Sequence, residues 1–154
     1  HITDYQLVDE GRQGIIFTGQ LGTQIQIYSQ MRLENEVIKR TNSTGSYEMM
    51  STANNSTIFA FIYSEFDLPQ EVYYFTNRFD QMKMITNEND LFIRRNLPKG
   101  KSYQWTNQED QTQIEGILLY PPNQFEQKNL PLLTLIHGDP HTADINSFAY
   151  LTGW

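Results

Sequence analysis

Apolar and polar residues alternate along much of this chain with a period of two. In TQIQIYS (23–29), Ile25 and Ile27 fall on one side and Gln24 and Gln26 on the other, the pattern of a half-buried strand. GIIFTGQ (14–20), IFAFIYS (58–64) and EVYYFTN (71–77) are β-branched and aromatic, and NEVIKRT (35–41) and QMKMIT (81–86) are shorter strands of the same series. Turn residues separate them, as at NSTGS (42–46) and STANNST (51–57), and no helical period intervenes. This predicts an all-β region: a sandwich, a barrel or propeller blades. TQIQIYSQMRLENEVIKRTN (23–42) and QEVYYFTNRFDQMKMITN (70–87) are alike. Each is a strand with aromatics, a polar turn and a strand ending in Thr-Asn. A repeat of roughly 40–50 residues favours blades.

The pattern changes after residue 90. NDLFIRRNLP (89–98) reads as a short helical turn or a crossing closed by Pro98. SYQWTN (102–107) and TQIEGILLYPP (112–122) predict a hairpin about Gln108, Glu109, Asp110 and Gln111. LPLLTLI (130–136) is continuously apolar, as in a strand buried on both faces of a helix-covered parallel sheet. ADINSFAYLTGW (143–154) could then start a helix. A boundary near 97–101 divides β-repeat material (1–98) from the opening strands of an α/β domain (99–154).

Composition narrows the function classes. Aromatics make up 13% of the chain, enough to bury a core, and Tyr63, Tyr73, Tyr74 and Phe75 are read as core rather than as the lining of a channel. The formal net charge is -7, and the basic residues cluster no further than Lys39-Arg40 and Arg94-Arg95, so no nucleic-acid partner is expected. No apolar run approaches the roughly 20 residues that span a bilayer, and no membrane partner is expected. Without cysteine there is no disulfide, Cys-zinc site or thiol nucleophile. That absence fits a reducing compartment, whereas the acceptor triplets at Asn42, Asn54 and Asn55 fit secretion. The first residues carry neither Met nor a signal pattern, and the chain reads as a piece of a longer one.

The candidate chemistry lies where the apolar run stops, at His137-Gly138-Asp139-Pro140-His141. His137, Asp139 and His141 are metal-ligand types, but Gly138 and Pro140 oppose the helix that would bring the histidines onto one face, so no metal is expected. His137 as a general base would need a nucleophile beside it, and the chain contains no G-x-S-x-G. In the third reading Gly138 lets backbone N–H groups approach a substrate and Pro140 fixes the turn. The residues alone leave this level with a plain tight turn.

Two stretches in order, WTNQEDQTQIEGILLYPP (105–122) and LPLLTLIHGDPH (130–141), resemble the start of the catalytic domain in the prolyl oligopeptidase family of serine peptidases. The matching positions are Trp105, Ile114, Gly116, Leu118 and Pro121, then Pro131, Leu132, Leu133, Ile136, His137, Gly138, Pro140 and His141. The resemblance implies a mixed fold, the end of an all-β propeller followed by the first strands of an α/β-hydrolase domain. It also implies a serine peptidase acting on short peptides, without metal or cofactor. The backbone N–H of Gly138 or Asp139 would be an oxyanion-hole donor, with His137, Pro140 and His141 shaping the loop. Asp139 stands where the family has glycine, so a weaker hole is expected. The triad would lie downstream, leaving the 154 residues inert alone. A non-catalytic propeller binding module and an α/β-hydrolase esterase are the alternatives.

Overall fold

A computed structural model of the chain describes residues 1–33, 36–53, 57–76, 81–138 and 143–148. Four strands, β1 (Ile2–Val8), β2 (Gly14–Leu21), β3 (Gln24–Met31) and β4 (Ile38–Lys39), form an antiparallel sheet in chain order. A second sheet repeats the arrangement with β5 (Ser46–Thr52), β6 (Ile58–Glu65), β7 (Leu68–Thr76) and β8 (Lys83–Met84). A single helical turn, α1 (Asp90–Ile93), leads to a separate hairpin of β9 (Lys99–Thr106) and β10 (Gln113–Tyr120).

The two sheets are held together by aromatic side chains. In β7 the alternation is regular, and Pro69, Glu71, Tyr73 and Phe75 are the buried positions. Phe59, Phe61 and Tyr63 do the same for β6, and Tyr47 and Met50 for β5. They meet Val8, Ile16 and Ile27 of the first sheet in one cluster. The ring centroids of Tyr47 and Tyr63 lie 4.8 Å apart and those of Phe61 and Phe75 5.0 Å apart. Such pairs add about 0.5–1.5 kcal/mol each beyond the area they bury. The Gln6 amide of β1 reaches the Met50 carbonyl of β5 at 3.0 Å, tying the first strands of the two sheets.

The self-similarity of the sequence is a repeat of hydrogen bonds. The Ile27 N–H donates to the Thr41 hydroxyl, and 45 residues later the Val72 N–H donates to the Thr86 hydroxyl, both at 2.9 Å. Each threonine in turn donates to the side chain before that N–H, Gln26 in one sheet and Glu71 in the other. Both acceptors are buried. The Gln26 amide nitrogen donates to the Ser43 and Gly45 carbonyls on the way to β5. The Glu71 carboxylate instead accepts the Asn89 N–H at 2.7 Å, at the entry to α1. The Thr-Asn signature thus marks where each sheet fastens its outgoing chain. Gln26, expected on the polar side of its strand, is 1% exposed because these bonds satisfy its amide.

Three expectations are corrected. The described residues form open antiparallel sheets, and the repeats do not close into a propeller. The helices of an α/β-hydrolase are not formed among the described residues. The described helix amounts to four residues, and β9 and β10 pair only with each other. The run 130–136 is no buried parallel strand: it has no ladder, and Leu132, Leu133 and Ile136 are 76%, 79% and 90% exposed. An apolar run signals a demand for burial, but a strand also needs a neighbour for its backbone groups. The described part of the expected final helix, 143–148, is likewise irregular. In the other direction, β1 and β5 were not anticipated.

Candidate functional site

Of the five residues singled out by sequence, His137 and Gly138 are described, whereas Asp139, Pro140 and His141 lie outside the described residues. His137 is exposed, and its Nδ1 lies 2.8 Å from the Gly138 carbonyl. The space where a Gly138 Cβ would stand is open to at least 4 Å. Among the described residues no three His, Asp or Glu side chains are grouped to hold a metal ion.

The polar centre of the structure lies elsewhere, at the turn between β2 and β3, and sequence reasoning missed it. Thr23 is 4% exposed and bonds to both strands of the hairpin. Its hydroxyl donates to Glu115 Oε1 of β10 at 2.7 Å, its N–H reaches the same oxygen at 3.2 Å, and its hydroxyl also meets that of Ser102 on β9. Gln104 Nε2 donates to Glu115 Oε2 at 3.2 Å. Hydrogen bonding from Thr23 holds the Glu115 carboxyl below the usual carboxylate range, against a smaller upward push from burial. Gly22, at φ +60°, has no room for a side chain, because a Cβ there would run into that carboxylate.

The other end of the hairpin rests on the equivalent turn of the second sheet. Lys99 pairs with Asp67 at 3.5 Å, and Gly100 lies against the Phe66 ring. The hairpin therefore spans the tips of both sheets. Its far face is aromatic: the rings of Tyr103 and Trp105 stack at 6.0 Å and stay about half exposed. A third contact with the first turn comes from the end of the chain. The Asn146 N–H donates to the Thr23 carbonyl at 2.6 Å, and its side-chain amide donates to the Thr44 carbonyl. The Phe148 N–H then reaches the Ser64 hydroxyl at 3.3 Å. No local motif signals these contacts, since the partners lie 79 to 102 residues apart in the bonds to Ser102, Glu115, Ser64 and Thr44.

Two meandering four-stranded antiparallel sheets, related as repeats and bridged by a hairpin, define the fold. No protein-family model and no curated protein matches the chain. Solved structures do. A serine-to-alanine variant of the AtxE2 isopeptidase with Astexin3-dC4 bound superposes with a TM-score of 0.71 at 17% identity, over 96% of this chain and 22% of that one. The apo AtxE2 isopeptidase gives 0.62 at 17% identity, over 79% of this chain and 18% of that one. The chain thus spans about a fifth of the length of these structures, and at such identity the likeness is one of fold. Membership of the prolyl oligopeptidase family, expected from the sequence, is overturned: no family model matches, and the structural neighbours are an isopeptidase.

Proposed function

We propose that these residues form the β framework of a hydrolase that cleaves amide bonds in peptides, isopeptide linkages included. One observation carries the reading: the likeness to an isopeptidase runs over 96% of the chain rather than over a single sheet. Within this reading the reaction is of serine type. The backbone N–H of Gly138 or Asp139 stabilises the oxyanion, while His137, Pro140 and His141 shape the turn. The open space over Gly138 favours this, because a tetrahedral oxyanion has to come within about 3 Å of its donor. Asp139 keeps a backbone N–H but brings a carboxylate towards the developing charge.

The test uses the full-length protein that carries these residues, a peptide closed by an isopeptide bond, and a fluorophosphonate probe. Hydrolysis together with covalent labelling is expected. Binding of the peptide without cleavage or labelling would make the protein a binding module and overturn the reading. Cleavage without labelling would remove its serine-type part.

A further inference from the structure

We propose that Ser46, Ser64 and Asn146 form an internal binding site for one water molecule, which fastens residues 146–148 to the second sheet. All three are buried, at 0%, 1% and 5% exposure. Ser46 Oγ and Asn146 Oδ1 are buried oxygens without a hydrogen-bond partner among the described residues. The register of the sheet brings these groups to one place. Ser46 of β5 stands opposite Ser64 of β6. Residues so opposed put their side chains on the same face, with Cβ atoms about 4.5–5.5 Å apart. Residues 146–148 cross at this pair. Asn146 Nδ2 donates to the carbonyl of Thr44, which precedes Ser46 by two residues, and the Phe148 N–H donates to the Ser64 hydroxyl at 3.3 Å.

The donors and acceptors at this crossing select the ligand. The Asn146 amide cannot turn over, because its oxygen would then face the Thr44 carbonyl. Its Oδ1 is therefore a fixed acceptor in need of a donor. The Ser46 hydroxyl can both donate and accept, and the Ser64 hydroxyl, which accepts from Phe148, keeps its own proton to donate. Neither serine hydroxyl bonds directly to Asn146 Oδ1. Polar groups too far apart for a direct bond are bridged by water. One water molecule donates to Asn146 Oδ1 and to Ser46 Oγ and accepts from Ser64, and about three such bonds are usual for a buried water. A metal cation suits the place poorly. The three side chains are neutral, a calcium ion takes about six to eight oxygens, and among the described residues no group of His, Asp or Glu side chains is gathered to hold a metal.

The test is made on the full-length protein that carries these residues. A high-resolution crystal structure is expected to show one water within about 2.6–3.2 Å of Ser46 Oγ, Ser64 Oγ and Asn146 Oδ1. A direct bond from Ser46 to Asn146 would overturn the proposal, as would no ordered water there. So would a peak with six or more oxygens at about 2.3–2.6 Å, the mark of a cation. Hydrogen exchange at the β5 and β6 amides gives a second measurement, in which the sign decides. A hydroxyl buried without a partner opposes folding, so removing it in Ser46→Ala would leave protection unchanged or raise it. A hydroxyl bound to the water favours folding, and Ser46→Ala is then expected to lower protection about 2- to 10-fold. In the Asn146→Ala background, where the site has lost its acceptor, the same substitution should have little further effect. Unchanged or raised protection in Ser46→Ala, or an equal loss in both backgrounds, overturns the proposal. Should Asn146→Ala fail to fold, the crystal structure and Ser46→Ala alone decide.

Discussion

Glu71 is a carboxylate at 3% exposure, and among the described residues it accepts from the neutral donors Thr86 and Asn89. Burial pushes its carboxyl up, but hydrogen bonds from the Thr86 hydroxyl and from the amides of Asn89 and Glu88 outweigh that and hold it below the usual carboxylate range. A lowered folded value means that ionisation favours the fold. This contribution is complete above the ordinary glutamate pKa of about 4.3 and is lost as the pH falls through the lower folded value. Urea unfolding between pH 3 and 6 should therefore show stability dropping at the acid end, with a shallower drop in Glu71→Gln. At neutral pH that variant should be less stable by about 1–3 kcal/mol, because an amide cannot accept from both donors as a carboxylate does. Little of this was legible in the sequence. Gln26 and Glu71 occupy polar positions in alternating strands, and alternation alone assigns such residues to solvent. Their bonds to Thr41 and Thr86 depend on how each sheet closes.

At the scale of elements, the sequence was most legible where alternation and β-branching coincide. β2, β3, β6 and β7 form close to where GIIFTGQ, TQIQIYS, IFAFIYS and EVYYFTN place them. The turn of the β9–β10 hairpin also falls where expected, with the Asn107 N–H on the Thr112 carbonyl at 2.8 Å. β5 was missed because Ser-Tyr-Glu-Met-Met-Ser-Thr has few strand-favouring side chains, and a bulge with Met49 at φ +49° breaks its register. The seating of the hairpin was invisible, since Thr23 and Glu115 have no local relation. Thr23→Val keeps the shape and deletes the hydroxyl that Glu115 accepts. It should cost about 1.5–3 kcal/mol, the range for a hydrogen bond to a charged group. Hydrogen exchange should accelerate in β9 and β10 before it does in β6 and β7. Uniform acceleration would mean that the hairpin is not seated through this residue.

For the molecule as a whole, the distribution of apolar surface is uneven. The aromatic cluster between the sheets is buried, while Leu132, Leu133, Leu135 and Ile136 are exposed in one stretch. Contiguous exposed apolar residues promote association. In the isolated 154-residue chain, Leu133→Lys with Ile136→Lys should raise the concentration at which light scattering appears. The Tm should stay within about 1 °C of the unaltered chain, because exposed positions contribute little to folding. A matching fall in Tm would show that the run is packed in solution. The sequence placed 130–136 as a strand buried on both faces, because an unbroken apolar run signals only a demand for burial. It did not show that the described residues provide no surface to bury it.

The 45-residue correspondence has a consequence for how the two sheets are ordered. Gln26 presents an N–H donor to the carbonyls of Ser43 and Gly45, whereas Glu71 presents an acceptor to the N–H of Asn89. One atom type at one position therefore gives each copy its own address for the chain that leaves it. Exchanging the two copies would aim a carboxylate at two carbonyl oxygens. Gln26→Glu alone recreates that mismatch and should loosen the passage from β4 to β5 while β1 to β3 stay paired. The two units are copies in shape and complements in polarity, and their order along the chain is not reversible.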